Sequence, residues 1–294
     1  MTTEINPTNG NGAKGRKIVI KDIGRVFHIK KSPTGPHDFV ALQNVSLEVK
    51  EGEFLALVGP SGCGKSTLLD ILAGLGKPSS GSVYIDGRQV TGPALDRGVV
   101  LQGYALFPWR TTRQNVEFGL QIKKVPKAER KKISTHFINL VGLQGFEDRF
   151  PHELSGGMKQ RVAIARALAY DPEVLLMDEP FAAVDAQTRE TLQDELLRIW
   201  EETGKTIIFV THSIEEAVFL ADRVAVMTVN PGTVREIVPI DLPRPRQNSG
   251  IRSSPGFGWV RQKIWELLQN QPPVEQKKDD GVSVADVISP AAVL

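Results

Sequence analysis

The chain has little of what several classes of protein depend on. Its 294 residues include one cysteine, which excludes an internal disulfide framework and fits a reducing compartment. The 36 basic and 34 acidic residues leave a net charge of only +2, without the basic excess of a nucleic-acid-binding protein. No apolar run approaches the length that crosses a bilayer. The first residues lack the basic and apolar regions of a signal peptide, so we expect the protein to be made and kept in the cytosol.

What the chain does contain suits one large or two small domains with a real core, since 40% of its residues are hydrophobic. Residues 1–16 are polar and rich in glycine and asparagine, and we expect them to be disordered. Alternation of apolar and polar residues over 17–49 predicts strands, with a loop or hairpin tip at 30–38. The region 81–87 predicts another strand, and 111–143 has helical periodicity.

Strands and helices alternate regularly in the rest of the chain. Apolar runs predict buried strands at 54–58, 174–177, 206–210 and 224–229, and helical patterns cover 68–73, 162–169, 188–202 and 214–221. This alternation indicates a parallel sheet covered by helices on both faces. Prolines 243 and 245 mark a boundary. Beyond it, apolar residues at helical spacing predict a short helix packed on the main domain, followed by a loose tail over 271–294. Those apolar residues are Phe257, Val260, Ile264 and Leu268.

A phosphate-binding motif of the form G-x-x-x-x-G-K-[ST] lies between a predicted strand and a predicted helix. The glycines let backbone N–H groups turn toward a phosphate chain, and the helix start adds partial positive charge. Lys65 can reach the outer phosphates, and the Ser66 hydroxyl can ligate Mg²⁺. The single cysteine, Cys63, is interpreted here as a small side chain rather than a redox group. The motif consists of Gly59, Pro60, Ser61, Gly62, Cys63, Gly64, Lys65, Ser66 and Thr67.

Two adjacent acids, Asp178 and Glu179, end the predicted strand at 174–177. Because ligands of parallel sheets bind at the carboxyl ends of the strands, we expect both to face the phosphate loop. Asp178 can hold Mg²⁺ directly or through water, and Glu179 can orient or deprotonate an attacking water. Taken alone, the pair fits a surface turn equally well. The phosphate loop upstream favours a site.

A second helix start with anion-binding capacity follows residue 154. Ser155 is a good N-cap, and the N–H groups after Gly156 and Gly157 could bind an anion. The spacing alone favours a capped helix with a flexible entry. One triphosphate needs only one phosphate loop, so the second start is redundant unless it serves another molecule.

Taken together and in order, these motifs resemble the ATP-binding subunit of an ATP-binding cassette (ABC) transporter. The resemblance covers residues 17–245, with Met158 where glutamine is commoner and Val184 where leucine is usual. It implies an α/β fold, the ABC cassette of the P-loop NTPases. That fold has a mainly parallel core sheet, an N-terminal antiparallel β subdomain and a helical subdomain at about 103–160. Residues 246–294 would then be a C-terminal helix and tail. Further matches are Gln102 in the glutamine loop, residues 154–160 in the signature, Asp185 in the D-loop and His212 as the switch histidine.

The resemblance also implies roles, with ATP and Mg²⁺ bound. The phosphate loop would hold the phosphates, with Lys65, Glu179 as general base and His212 as the catalytic residues. An aromatic ring upstream of the loop would stack on adenine: Phe27, or its rival Phe39. The signature of one chain would complete the nucleotide site of a second copy, so that two chains close on two ATP molecules. The implied Mg²⁺ ligands are Ser66, Gln102 and Asp178, and the implied nucleotide contacts of the signature and D-loop are Ser155, Gly156, Gly157 and Asp185.

The segment 106–111, with Asn115, Val116 and Leu143, resembles importers of nitrate, sulfonate and taurine, a branch that includes bicarbonate importers. This implies uptake of a small anion, and membrane permease subunits that contact residues 102–109. A solute-binding protein would act indirectly, and the chain would lie on the cytoplasmic face of the cell inner membrane, with no nucleic acid as partner. An importer of another cargo is an alternative. So is a soluble ABC ATPase of translation or DNA repair, although those usually carry two cassettes or a coiled-coil insertion. A small-molecule kinase shares the phosphate loop but has no use for the signature.

Overall fold

The computed structural model describes residues 15–29, 37–182, 184–247 and 250–269. The predicted disordered tail at 1–16 and the predicted loop at 30–38 therefore lie almost entirely outside the described residues, and the predicted tail at 271–294 lies wholly outside them. Within the described part of the chain, no helix is long and apolar enough to cross a membrane.

The strands form two sheets. The first has the order β2-β1-β4-β5 with antiparallel neighbours, and the second has the order β10-β9-β3-β8-β7-β6, parallel apart from the edge strand β10. The predicted combination of an antiparallel N-terminal sheet and a mainly parallel core sheet is confirmed. The strands are β1 (Arg16–Ile29), β2 (His37–Lys50), β3 (Phe54–Val58), β4 (Ser80–Ile85), β5 (Arg88–Gln89), β6 (Arg97–Val100), β7 (Val174–Asp178), β8 (Thr206–Thr211), β9 (Arg223–Met227) and β10 (Val234–Pro239).

The helices follow the predicted alternation. The region 111–143 is divided into three helices, and the first begins with a capping box in which Thr111 and Gln114 exchange hydrogen bonds. Short 3-10 turns lie at Pro151–Glu153 and Ile251–Ser253. The helices are α1 (Lys65–Ala73), α2 (Thr112–Val116), α3 (Phe118–Ile122), α4 (Lys127–Leu140), α5 (Gly156–Ala169), α6 (Ala186–Thr203), α7 (Ile214–Leu220) and α8 (Pro255–Gln269).

Apolar clusters cover both faces of the core sheet. Alternate residues of β3 enter opposite clusters: Phe54 packs with residues of α5, α6 and α7, whereas Leu55 packs with α1 and the antiparallel sheet. Strands β3 and β8 are buried throughout, as a sheet covered on both faces requires. Helix α8 packs against α7 and buries Phe257, Val260 and Ile264, three of the apolar residues from which the short helix was predicted.

Two strands of the core sheet, β6 and β10, were not among the predicted elements. Strand β6 is four residues long and contains Arg97, so it lacks a continuous apolar run. Strand β10 lies at the sheet edge and ends in Pro239, which is tolerated at an edge because an edge strand need not donate every backbone hydrogen bond. Strand β6 matters for the site, since its carboxyl end leads to Gln102.

Candidate functional site

The phosphate loop joins β3 to α1 and contains the buried Lys65 side chain. Lys65 Nζ donates to the carbonyl oxygens of Gly59 at 2.8 Å and Pro60 at 3.0 Å. Gly64 precedes α1 with a φ of 88°, in the left-handed region that glycine adopts without steric cost. The ammonium is thereby held at the helix start, and a phosphate bound there would replace these carbonyl oxygens as its partner.

Cys63 is buried in the same loop, with its Sγ 3.6 Å from Lys65 Nζ. Burial raises the pKa of its thiol, and the Lys65 charge opposes that rise. A thiol with a raised pKa is a poor nucleophile, so the geometry agrees with a packing role. The remaining residues of the motif lie in the turn or in the first turn of α1: Ser61, Gly62 and Thr67.

The end of β7 brings Asp178 to the phosphate loop. Ser66 Oγ donates to Asp178 Oδ1 at 3.2 Å. Burial raises the pKa of the Asp178 carboxyl, the Ser66 hydrogen bond opposes the rise, and the neighbouring Glu179 adds to it. A partly desolvated carboxylate is stabilised by a cation. A carboxylate beside a hydroxyl is also an oxygen donor set that suits Mg²⁺ together with phosphate oxygens. The residues present therefore fit the predicted metal.

Glu179 meets His212 where β7 and β8 end. His212 Nδ1 lies 3.1 Å from Glu179 Oε2, the distance of a hydrogen bond in which the imidazole N–H donates to the carboxylate. Glu179 has a φ of 42°, an uncommon conformation for a residue other than glycine, and its N–H donates to Val210 O at 3.0 Å. Backbone strain of this kind concentrates at functional sites. Strands β3, β8 and β7 are adjacent and parallel, so their carboxyl ends lie at the same end of the core sheet. Glu179 and His212 therefore lie at the same end of the sheet as Ser66 and Asp178.

Gln102 follows β6 at that edge. Strand β6 runs parallel to β7 with Val100 opposite Met177, so Gln102 and Asp178 both emerge beyond the carboxyl ends of neighbouring strands. Gln102 is exposed. The backbone thus brings Gln102, the predicted ligand, to the same end of the core sheet as Asp178, and the structure shows no hydrogen bond from its side chain to Ser66 or Asp178.

The segment after Gln102 is anchored to α5. Tyr104 and Ala105 have φ values of 62° and 46°, and Arg166 donates to their carbonyl oxygens at 2.9 and 2.5 Å. Sequence reasoning did not single out Arg166. Trp109 is 71% exposed, but Phe107 is half-buried, with its ring 4.6 Å from an aromatic ring of α3. Trp109 is therefore the more exposed of these two aromatic side chains in the segment 102–109, which is expected to contact the permease.

Helices α5 and α6 begin side by side. Ser155 caps α5 and Asp185 caps α6, each accepting a hydrogen bond from an N–H of its own first turn. The hydrogen bonds from Thr188 lower the pKa of Asp185. A Cβ at Gly157 would stand 2.6 Å from Thr188 Cγ2, so a larger residue at 157 would force the Thr188 side chain to move. Gly156 is the first residue of α5. Both cap side chains are exposed, and Ala183 of the D-loop lies outside the described residues.

The two candidate adenine-stacking rings occupy one surface. Phe27 on β1 is opposite Phe39 on β2, and directly opposed residues of antiparallel strands share a face of the sheet. Phe27 is 37% exposed, with the Arg25 guanidinium carbon 4.5 Å from its ring centre. Arg25 is itself held by donation to Lys77 O at 2.7 Å. Phe39 is half-buried.

Comparison with known proteins places this geometry among nucleotide-binding cassettes. A family model described as ABC transporter matches residues 42–182. Over 255 residues the chain is 58% identical to an uncharacterized ABC transporter ATP-binding protein of Methanocaldococcus jannaschii, covering 87% of this chain and 92% of that protein. Over 259 residues it is 46% identical to the nitrate import ATP-binding protein NrtD of Synechocystis sp., covering 86% and 96%. A dimeric ATP-binding cassette solved in a post-hydrolysis state with ADP and Pi matches with a TM-score of 0.67 at 35% identity, covering 77% of this chain and 100% of that one.

Proposed function

The chain belongs to the ABC transporter ATP-binding proteins, and from that membership we propose that it is the ATP-hydrolysing subunit of an importer for a small anion. Its fold is the ABC cassette of the P-loop NTPases, and its activity is ATP hydrolysis. One observation supports the proposed roles of the residues in hydrolysis: Ser66 contacts Asp178, and Glu179 contacts His212, at the carboxyl ends of the core strands. The likeness to a nitrate import protein supports a small anion as cargo.

The residues at the carboxyl ends of the core strands have different roles in ATP hydrolysis. The N–H groups of the phosphate loop and Lys65 bind the phosphates of ATP. Glu179 accepts a proton from water as the water oxygen attacks the terminal phosphorus and the bond to the ADP oxygen breaks. His212 holds the Glu179 carboxylate in place through the 3.1 Å contact and would contact the terminal phosphate of bound ATP.

The oxygen ligands Ser66 and Asp178, with Gln102 from the neighbouring strand end, would hold Mg²⁺. When bound, the ion would neutralise charge on the phosphates during transfer. The raised pKa of Asp178 supports this assignment, because its carboxylate is desolvated and lacks a cationic partner at hydrogen-bond distance among the described residues.

A second copy of the chain would complete each nucleotide site. Ser155 and Asp185 are exposed caps of two adjacent helix starts, and the N–H groups there, with that of Gly157, suit the terminal phosphate of ATP bound to the partner. ATP would then favour the closed dimer because it contacts both chains, and hydrolysis would remove that preference. The dimeric cassette among the solved structures supports this arrangement.

Movement of the dimer would be passed to membrane permease subunits through residues 102–109. Exposed Trp109 offers a large apolar side chain for such a contact, and Arg166 ties this segment to the signature helix α5. The chain would lie at the cytoplasmic face of the inner membrane as a peripheral subunit, and a solute-binding protein would act through the permease.

Reconstitution with the permease and the solute-binding protein tests this function. We expect ATP hydrolysis to rise severalfold when the binding protein is loaded with nitrate, bicarbonate or a sulfonate, because the loaded protein signals through the permease to the cassette. The binding protein without ligand is the control. Co-purification with ribosomes or DNA instead of membrane protein would contradict the importer assignment.

Alanine substitution decides which aromatic ring stacks on adenine. We expect Phe27→Ala to weaken ATP binding about tenfold, since a stacked base contributes about 1–3 kcal/mol. Phe39→Ala is the matched control and should leave the affinity nearly unchanged, because Phe39 is the less exposed ring. Equilibrium binding of a fluorescent ATP analogue measures both. The reverse pattern would assign the stacking role to Phe39.

A further inference from the structure

A closed set of hydrogen bonds holds the turn that carries His212. Thr211 Oγ1 donates to Glu216 Oε2 at 2.5 Å and accepts from the Ser213 N–H at 3.0 Å. The Glu216 N–H donates back to Ser213 Oγ at 3.3 Å, which caps α7. Thr211 and Ser213 are the two neighbours of His212 in the chain. The Glu216 carboxyl therefore fixes the backbone on both sides of the imidazole.

The other oxygen of that carboxyl faces α6. Gln193 Nε2 donates to Glu216 Oε1 at 3.3 Å, and Arg189 Nε lies 3.7 Å from the same oxygen. Gln193 Oε1 accepts in turn from Arg252 Nη2 at 2.6 Å. Arg252 belongs to the 3-10 turn before α8, and its guanidinium carbon lies 3.7 Å from the ring centre of Phe219 on α7. A continuous chain of hydrogen bonds thus joins the C-terminal segment to the turn of His212.

The middle of this hydrogen-bond network is shielded from water. Thr211, Gln193 and Glu216 are only 1%, 2% and 7% exposed. Burial raises the pKa of the Glu216 carboxyl, and the Thr211 hydrogen bond and the Arg189 charge oppose that rise. A buried polar group that loses its partner has no water to replace it. When one member of the network is removed, water cannot take its place, so the neighbouring residue loses a hydrogen bond and its position changes.

We propose that Glu216 is a positioning residue for His212, and that Arg252 supports Glu216 through Gln193. The C-terminal turn, which lies outside the predicted nucleotide-binding residues, would then influence the rate at which Glu179 and His212 act. The effect falls on hydrolysis rather than on ATP binding, because the phosphate loop is not part of this chain of hydrogen bonds. This inference rests on the proposed function, in which His212 acts beside the terminal phosphate.

The first test removes one hydroxyl group. Thr211→Val keeps the branched shape but leaves Glu216 Oε2 without its donor and the Ser213 N–H without its acceptor. We expect kcat for ATP to fall about tenfold, a loss that a small misplacement of a catalytic group can produce, with KM unchanged. Thr211→Ser keeps the hydroxyl and should retain the wild-type kcat. A purely structural role for Thr211 would instead lower the melting temperature without separating kcat from KM.

The second test acts at the far end of the chain of hydrogen bonds. Arg252→Met should lower kcat severalfold without changing KM. The double variant with Glu216→Gln should be no slower than Glu216→Gln alone, because both changes interrupt one network. Lys263→Met is the matched control. Lys263 Nζ lies 2.7 Å from Glu236 Oε1, so it also ties the C-terminal helix to the core, but it does not touch the network. Its kcat should equal that of the wild type.

Two results would overturn the proposal: a wild-type kcat in Thr211→Val, or losses in Arg252→Met and Glu216→Gln that multiply in the double variant. Melting temperatures identify any variant that does not fold. Because Thr211, Glu216 and Arg252 are substituted separately, the variants that do fold still test the proposal. Failure of the proposed function has a different signature. Wild-type chain that does not hydrolyse ATP, or Glu179→Gln with undiminished turnover, would refute that function whatever Arg252 does.

Discussion

Replacing Glu179 with glutamine is expected to reduce ATP turnover about a thousandfold, within the range that a general base contributes. The amide has the size of the carboxylate and can still accept from His212, so the geometry at the ends of β7 and β8 is kept. It cannot take up the proton of the attacking water, so the chemical step stops. Release of phosphate under saturating ATP and Mg²⁺ measures the loss.

The same variant should bind ATP as well as the wild type and form a more persistent dimer. In the proposed mechanism, binding depends on Lys65 and the loop N–H groups, which the substitution leaves intact. Without hydrolysis, the nucleotide proposed to join two chains is not consumed. Light scattering with and without ATP reports the dimer. Glu190→Gln is the matched control, since it makes the same chemical change at an exposed position on α6. Undiminished turnover in Glu179→Gln would exclude Glu179 as the base.

The strands around the site could be predicted because their central residues are apolar without interruption. All residues of β3 and β8 are buried, and a strand between two covered faces needs no alternation. Strand β6 carries no such signal. Its Arg97 is buried because the guanidinium donates to Leu72 O and Gly92 O at 3.2 and 3.1 Å. Leu72 lies 25 residues away in the chain, so no local pattern encodes that contact.

The nucleotide-binding edge was predictable in outline from one rule of topology. Adjacent parallel strands end at the same edge, so a phosphate loop after β3 and acids after β7 are expected to meet, and Ser66 does contact Asp178. The conformation beyond Gln102 was not predictable. Neither Tyr104 nor Ala105 favours the left-handed region, and the two hydrogen bonds from Arg166 hold them there only in the folded chain.

The support of His212 escaped prediction for a related reason. A glutamate within a helix is normally assigned to the solvent face, since Glu is rarely buried without a partner. Glu216 is buried because Thr211 and Gln193 occupy both of its oxygens. The sequence offered one indication that Glu216 is buried: it is followed in α7 by four apolar residues, which are themselves buried.

Mixing two inactive variants is expected to restore ATP hydrolysis, because each nucleotide site is proposed to draw on two chains. Lys65→Met removes the ammonium that is proposed to bind phosphate. Ser155→Asp keeps a good N-cap for α5 but places a carboxylate against the partner's ATP, where like charges repel. Each variant alone has two defective sites per dimer. In the mixed dimer both defects fall on one site and the other site is intact. An equal mixture should therefore recover about a quarter of wild-type activity, given random pairing in a two-fold symmetric dimer.

The reciprocal mixture makes the geometry decisive. A chain carrying both Lys65→Met and Ser155→Asp, mixed equally with wild-type chain, gives mixed dimers in which each site has one defect. Only wild-type pairs then hydrolyse ATP, so activity should fall to about a quarter. Ser155→Thr, which keeps both cap and hydroxyl, is the matched control and should retain activity. If each chain instead built its own site, the first mixture would stay inactive while the second kept about half of the activity, since every wild-type chain would work whatever its partner. That pair of results would place Lys65 and Ser155 of one chain at the same nucleotide site and remove the closing of two chains on ATP from the mechanism.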